Sequence, residues 1–130
     1  PVLCKVSTTA QGAPNRFSRI VFRNATLRGI GKTGAADLLL EDCAILTNGT
    51  VGVDSQANSY GKALRVESAS GANVTLRNCL VQGNRTTVTG CYSGGALYLV
   101  SGARVVLENC DFIGNGVQLR GGGGGGGLPR

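Results

Sequence analysis

The feature that most constrains this chain is a repeat. Residues 94–115 read Gly-Gly-Ala-Leu-Tyr-Leu-Val-Ser-Gly-Ala-Arg-Val-Val-Leu-Glu-Asn-Cys-Asp-Phe-Ile-Gly-Asn, and residues 61–84 match them from end to end around a two-residue insertion at Ala69 and Ser70. Asp37 to Asn48 repeats the second half of the unit, and Arg19 to Ile30 does so more loosely. Within each copy apolar and polar residues alternate over short runs, the period of a half-buried strand, and Gly and Asn punctuate between runs. A unit of this size has one apolar face and cannot bury it alone, so stability must come from stacking unit on unit. Short strands bent around one interior and repeated along an axis are coils of a parallel β-helix. The expected fold is all-β, a right-handed single-stranded parallel β-helix of about four coils, its hand following from the general bias of parallel crossovers.

Aligning the copies gives columns with distinct physical meanings. Ile20, Leu38, Val74 and Val105 form one apolar column, Phe22, Leu40, Leu76 and Leu107 a second, and Leu27, Ile45, Val81 and Phe112 a third. These are the expected core, all inward by the alternation of a strand. Ala25, Cys43, Cys79 and Cys110 form a small inward column, and Asn24, Asp42, Asn78 and Asn109 precede it at a bend, where stacked amides can bond from coil to coil. Arg23, Glu41, Arg77 and Glu108 form an outward column that alternates in sign. With coils about 4.8 Å apart, its members are expected to pair.

Aromatic residues make up only 5% of the chain, with no Met or Trp, so short aliphatics must fill the interior. The net charge of +6 fits either an acidic partner or scattered solvated surface. Nucleic acid is not expected, because no basic run and no aromatic stacking platform occurs. No apolar stretch approaches the roughly 20 residues of a membrane span. Residues 1–120 are read as a β-helix segment of a larger protein, since the chain opens at Pro1 without an initiator Met, and residues 121–130 as a glycine-rich flexible tail. Gly116 to Arg120 is expected to open a further coil. Gly29 to Gly34, Gly-Ile-Gly-Lys-Thr-Gly, superficially evokes a phosphate loop, but its glycine spacing is wrong and it leads into the strand pattern at Asp37, so a turn between coils is expected.

Gly94-Gly95-Ala96-Leu97 together with Phe112-Ile113-Gly114-Asn115 resembles the paired GGA(I/L/V) and FxxN motifs of polymorphic outer membrane proteins. From Arg19 to Leu119 the repeats are similar to the right-handed parallel β-helices of the pectin-lyase-like superfamily. The resemblance implies a secreted or surface-exposed protein that acts as an adhesin, a structural coil or a polysaccharide-active enzyme.

Polysaccharide-cleaving relatives present clustered carboxylates, or a cation site with a basic residue, on an outer strand face. Of the seven acids here, Asp37, Glu41, Asp42 and Glu108 already have structural columns, and Asp54, Glu67 and Asp111 fall in different places. The absence of His excludes a Ser-His-Asp triad and a His-based metal site. No catalytic residue, cofactor or metal site is assigned. The reading is a structural and interaction scaffold of an extracellular or cell-surface protein, with a fragment of a polysaccharide lyase or glycoside hydrolase, its active site partly outside this segment, as the alternative.

Two polar insertions, Gly49 to Tyr60 and Arg85 to Ser93, interrupt the helix at one corner, and the strands beyond them carry Arg65 and Tyr98 outward. Bordered by Tyr60, Arg85 and Tyr92, these two form a candidate glycan contact, Arg pairing carboxylate or sulfate and Tyr packing on sugar faces. The competing reading is that they only cover the sheet. The partners considered are an acidic polysaccharide and neighbouring coils or chains of the same assembly. Glycosylation triplets begin at Asn24, Asn48, Asn73 and Asn84, the last three being candidate acceptors. Among five Cys, the inward three are expected to be buried thiols, leaving Cys4 and Cys91 open to oxidation.

Overall fold

The computed structural model describes residues 2–8, 15–25, 28–49, 61–67, 73–88, 95–99 and 103–119. Fourteen strands run through them: β1 (Val2–Thr8), β2 (Asn15–Ser18), β3 (Val21–Arg23), β4 (Arg28–Gly34), β5 (Leu38–Glu41), β6 (Ala44–Leu46), β7 (Leu64–Val66), β8 (Asn73–Arg77), β9 (Leu80–Gln82), β10 (Arg85–Val88), β11 (Leu97–Leu99), β12 (Arg104–Glu108), β13 (Asp111–Ile113) and β14 (Gly116–Leu119). Twelve of them make three four-stranded sheets, in the orders β1-β4-β7-β11, β2-β5-β8-β12 and β3-β6-β9-β13. All pairings are parallel. The chain therefore visits the first, second and third sheet in turn and climbs one strand per circuit. That is a parallel β-helix of four coils, as the repeat predicts.

The registers explain why the columns form a core. Leu38 pairs with Val74, and Leu40 with Leu76, Ile45 pairs with Val81, and Ile30 with Leu64. All eight side chains are at most 1% exposed. Each such burial contributes about 1.5–3 kcal/mol of transfer free energy. Their outward neighbours are partly exposed, so the alternation of the sequence is the alternation of the structure. Cys43 and Cys79 lie in the interior as free thiols, each within bonding distance of backbone carbonyls.

Two corners per coil are built from left-handed backbone. At the first, Arg19, Asp42, Asn78 and Asn109 have φ between 52° and 57°. The second uses Asn24, Thr47, Gly83 and Gly114, with φ from 51° to 68°. The left-handed region disfavours most L-residues by roughly 1–2 kcal/mol and Asn and Asp least, because their short polar side chains bond locally. Here those side chains also bond between coils: Asn109 donates to Asn78 at 2.8 Å, Asn78 to Asp42 at 3.2 Å, and the Thr47 hydroxyl to Asn24 at 2.6 Å.

A second ladder runs inside. Asn48, Asn84 and Asn115 stack, Asn48 Nδ2 and Asn84 Nδ2 each donating 2.8 Å to the Oδ1 of the next rung. The backbone N–H groups of Ala25, Asn48 and Asn84 donate to the Oδ1 atoms of Asn48, Asn84 and Asn115 in turn, at 3.0–3.1 Å. The remaining amide hydrogens reach the carbonyls of Phe22, Ile45 and Val81. Buried amides are tolerated because they are bonded in this way.

The first coil departs from the expected register by five residues. Asn15 pairs with Leu38, Phe17 with Leu40 and Ser18 with Glu41, while Phe22 pairs with Ile45 and Arg23 with Leu46. Alternation alone fits both registers, but the observed one buries Phe22 and packs a partly buried Phe17 against it. Phe17 and Phe22 meet edge to face, centroids 5.8 Å apart. Ile20 is consequently 38% exposed rather than core, and Arg23 is not in the charged column. Leu27 lies outside the described residues. In the charged column Arg77 bonds Glu108 at 2.6 Å and Glu41 at 3.2 Å, and Arg16, not Arg23, supplies the second cation to Glu41.

Two further expectations are corrected. Residues 29–34 belong to strand β4 rather than to a turn, and buried Lys32 donates through Nζ to the carbonyls of Thr33 and Gly34 at 2.8 Å, occupied by its own chain. Gly116 to Leu119 forms β14, but it stacks on β10 inside the second insertion and not on the first sheet.

Candidate functional site

The outer face of the first sheet brings two of the candidate residues, Arg65 and Tyr98, together. Lys5 pairs with Gly31, Gly31 with Arg65, and Arg65 with Tyr98, so these four positions form one file across four coils. The guanidinium carbon of Arg65 stands 5.3 Å from the centroid of the Tyr98 ring, within the range of a cation–π contact. Glu67, just past the end of β7, holds Arg65 at 2.5 Å. The Arg65 Nε is buried and finds no hydrogen-bond partner among the described residues. Gly31, the partner of Arg65 on β4, presents no side chain on that residue's other flank.

Two more cations gather here that the repeat pattern did not single out. Arg28, at the start of β4, is only 5% exposed, and its Nε too lacks a partner. Burial lowers its pKa from the usual guanidinium range, the nearby Arg65 lowers it further, and Glu67 opposes both. Lys62 is fully buried, and burial together with Arg28 pushes it down to about 8. Its stem runs against Gly49, whose φ of 102° and closeness to the Arg85 carbonyl leave no room for a β-carbon. Arg28 and Arg65 thus lie close to Glu67, and Lys62 lies close to Arg28, so that among these described residues cations outnumber the carboxylate.

Of the other expected members, Arg85 begins β10 on a different sheet, exposed, its N–H bonded to the Asn48 carbonyl at 3.0 Å. Tyr60 and Tyr92 lie outside the described residues, as does Cys91. Asn48 and Asn84 are corrected as glycosylation acceptors: they are 1% and 0% exposed, and their amide nitrogens are the rungs of the internal ladder. Asn73 is half-buried, its N–H bonded to Asp37 at 2.8 Å.

Most described acids hold the frame: Asp37 anchors Asn73, Asp42 accepts from Asn78, and Glu41 and Glu108 bind arginines. Among the described residues no three His, Cys, Asp or Glu side chains gather to hold a metal, and no helix is long and apolar enough to cross a membrane.

The three parallel sheets and their inner columns define the class, and comparison with known families agrees. Residues 6–125 match the right-handed β-helix region family, and the chain belongs to it. Neither the curated proteins nor the solved structures contain a match.

Proposed function

We propose that this β-helix is a structural and interaction scaffold of an extracellular or cell-surface protein, and that the outer face of its first sheet contacts an acidic glycan. One observation carries the reading: Arg65 lies over Tyr98 on adjacent coils, with Arg28 near Arg65 adding positive charge. A guanidinium next to an aromatic ring suits a uronate or sulfated sugar, the cation meeting the acid group and the ring meeting the apolar sugar face. The motif resemblance to polymorphic outer membrane proteins supports the location at the cell surface.

Retention on an immobilised acidic polysaccharide tests this. The chain is retained at low salt and released as salt rises, whereas Arg65→Ala/Tyr98→Ala loses retention with little change in melting temperature. Unchanged retention of the double variant, or equal retention on any polyanion, leaves a coil whose binding is set by net charge alone.

A further inference from the structure

We propose that Arg28 and Arg65 together bind one tetrahedral oxyanion, presented as the sulfate ester of an acidic glycan. The proposal rests on the reading of this face as a glycan contact and names the acid group that it takes. Among the described residues three buried side-chain nitrogens find no hydrogen-bond partner, and two of them are Arg28 Nε and Arg65 Nε. Buried donors are nearly always bonded, so two orphans on neighbouring strands call for an acceptor. Those strands are β4 and β7, which pair in parallel with Gly31 against Arg65, and Arg28 opens β4 three residues before Gly31. Arg28 is 5% exposed and makes no hydrogen bond or ion pair among the described residues. A guanidinium does not shed its proton in a protein, so burying one without a partner is strongly unfavourable unless an anion joins it. The two guanidiniums also feel each other's charge, with Glu67 opposing it. Glu67 engages Arg65 through Nη2 and leaves its Nε unbonded.

The donors select the ligand. A carboxylate has two oxygens, which a single guanidinium can saturate as a bidentate pair, and Glu67 already supplies one carboxylate to Arg65. A sulfate ester carries three terminal oxygens about a tetrahedral centre. It can accept from two guanidiniums on different strands at once. Tyr98, its ring centroid 5.3 Å from the Arg65 guanidinium carbon, then lies beside the ester for the sugar that bears it.

Two measurements test the site. In the first, thermal melting is followed in inorganic sulfate and in chloride of equal ionic strength. Sulfate is expected to raise the melting temperature of the parent saturably, as a ligand of the folded chain does, whereas general stabilisation by excluded sulfate does not saturate and is common to all variants. Arg28→Met is expected to keep the parent's circular dichroism and lose the saturable rise, and Arg65→Gln to need several-fold more sulfate for it. In the second, the parent is expected to stay on an immobilised sulfated galactan to higher salt than on a uronate polymer of matched charge density, and Arg28→Met to leave both at the same salt. Absence of a saturable rise in the parent overturns the site even if neither variant folds, and so does a rise unchanged in Arg28→Met. Equal retention on the two polymers, lost in Arg65→Ala/Tyr98→Ala but unchanged in Arg28→Met, overturns the site and leaves the glycan reading standing. A saturable response to sulfate with retention on neither polymer overturns the glycan reading and the ester with it, and identifies a free ion as the ligand.

Discussion

Replacing Asn84 by Ala removes the middle rung of the internal ladder, and the structure sets the size of the effect. The Asn84 amide accepts from the N–H and Nδ2 of Asn48 at 3.1 and 2.8 Å and donates to the carbonyl of Ile45 and to Asn115, both at 2.8 Å. Asn48 Nδ2 keeps its bond to Phe22, and Asn115 Oδ1 keeps the Asn84 N–H. The Asn48 N–H is left buried and unsatisfied, whereas the Ile45 carbonyl keeps its place in the ladder with β9. One such orphan costs roughly 1–3 kcal/mol, against a typical domain stability of about 5–15 kcal/mol. Urea unfolding followed by circular dichroism reads this directly: at an m-value of about 2 kcal/mol/M, a mid-range loss lowers the midpoint by about 1 M. Asn78→Gly is the control. It removes a rung from the exposed ladder, tolerates the φ of 53°, and is expected to cost under about 1 kcal/mol. Should Asn84→Ala shift the midpoint no further than Asn78→Gly, the internal amides do not hold the coils together.

Three other outcomes follow from particular contacts. Glu41→Arg places a third guanidinium between Arg16 and Arg77, which hold the Glu41 carboxyl below the usual range, and is expected to lower the melting temperature modestly, with added salt restoring part of the loss. Cys43 and Cys79 are expected to resist alkylation until the chain unfolds, since burial raises the Cys79 thiol, whereas Cys110 is half-exposed in the last coil and is expected to label ahead of them in a mass-spectrometric time course. Lys62 falls from 10.5 to about 8 on folding, so between those values the unfolded chain holds a proton the folded one has lost, and stability gains with rising pH. The contribution is on the order of 3 kcal/mol across the window; raised thiols such as Cys79 act in the opposite sense, so the quantity to measure is the difference between parent and Lys62→Met pH–stability curves, which is expected to vanish if Lys62 stays charged.

The sequence disclosed what depends on period. Leu38, Leu40, Val74, Leu76, Ile45 and Val81 were legible because a half-buried strand forces alternation, and Asp42, Asn78 and Asn109 because few residues tolerate the corner they occupy. The first coil was misread because Ile20 and Phe22 mimic Leu38 and Leu40 in spacing, and only packing of Phe17 on Phe22 distinguishes the registers. At the candidate site, Arg65 beside Tyr98 could be read from the repeat, since one coil length separates them. Arg28 and Lys62 could not, because their burial arises where coils meet at a corner and leaves no periodic trace. The internal Asn ladder was hidden for a related reason: Asn at the end of a strand reads as turn punctuation, and its inward direction is decided by the corner before it.

The rungs of that ladder lie 36 and 31 residues apart along the chain, and the Ala25 N–H that meets its first rung lies 23 residues before it, yet each bond has nearly the same length. Chain length per circuit is therefore decoupled from rise per circuit. A circuit that gains or loses a dozen residues beyond its Asn leaves the rungs above and below in place, so length variation at that corner is nearly invisible to selection on stability. Such a scaffold can host foreign peptides there, and can be lengthened by duplicating one whole circuit, with no repacking of its neighbours.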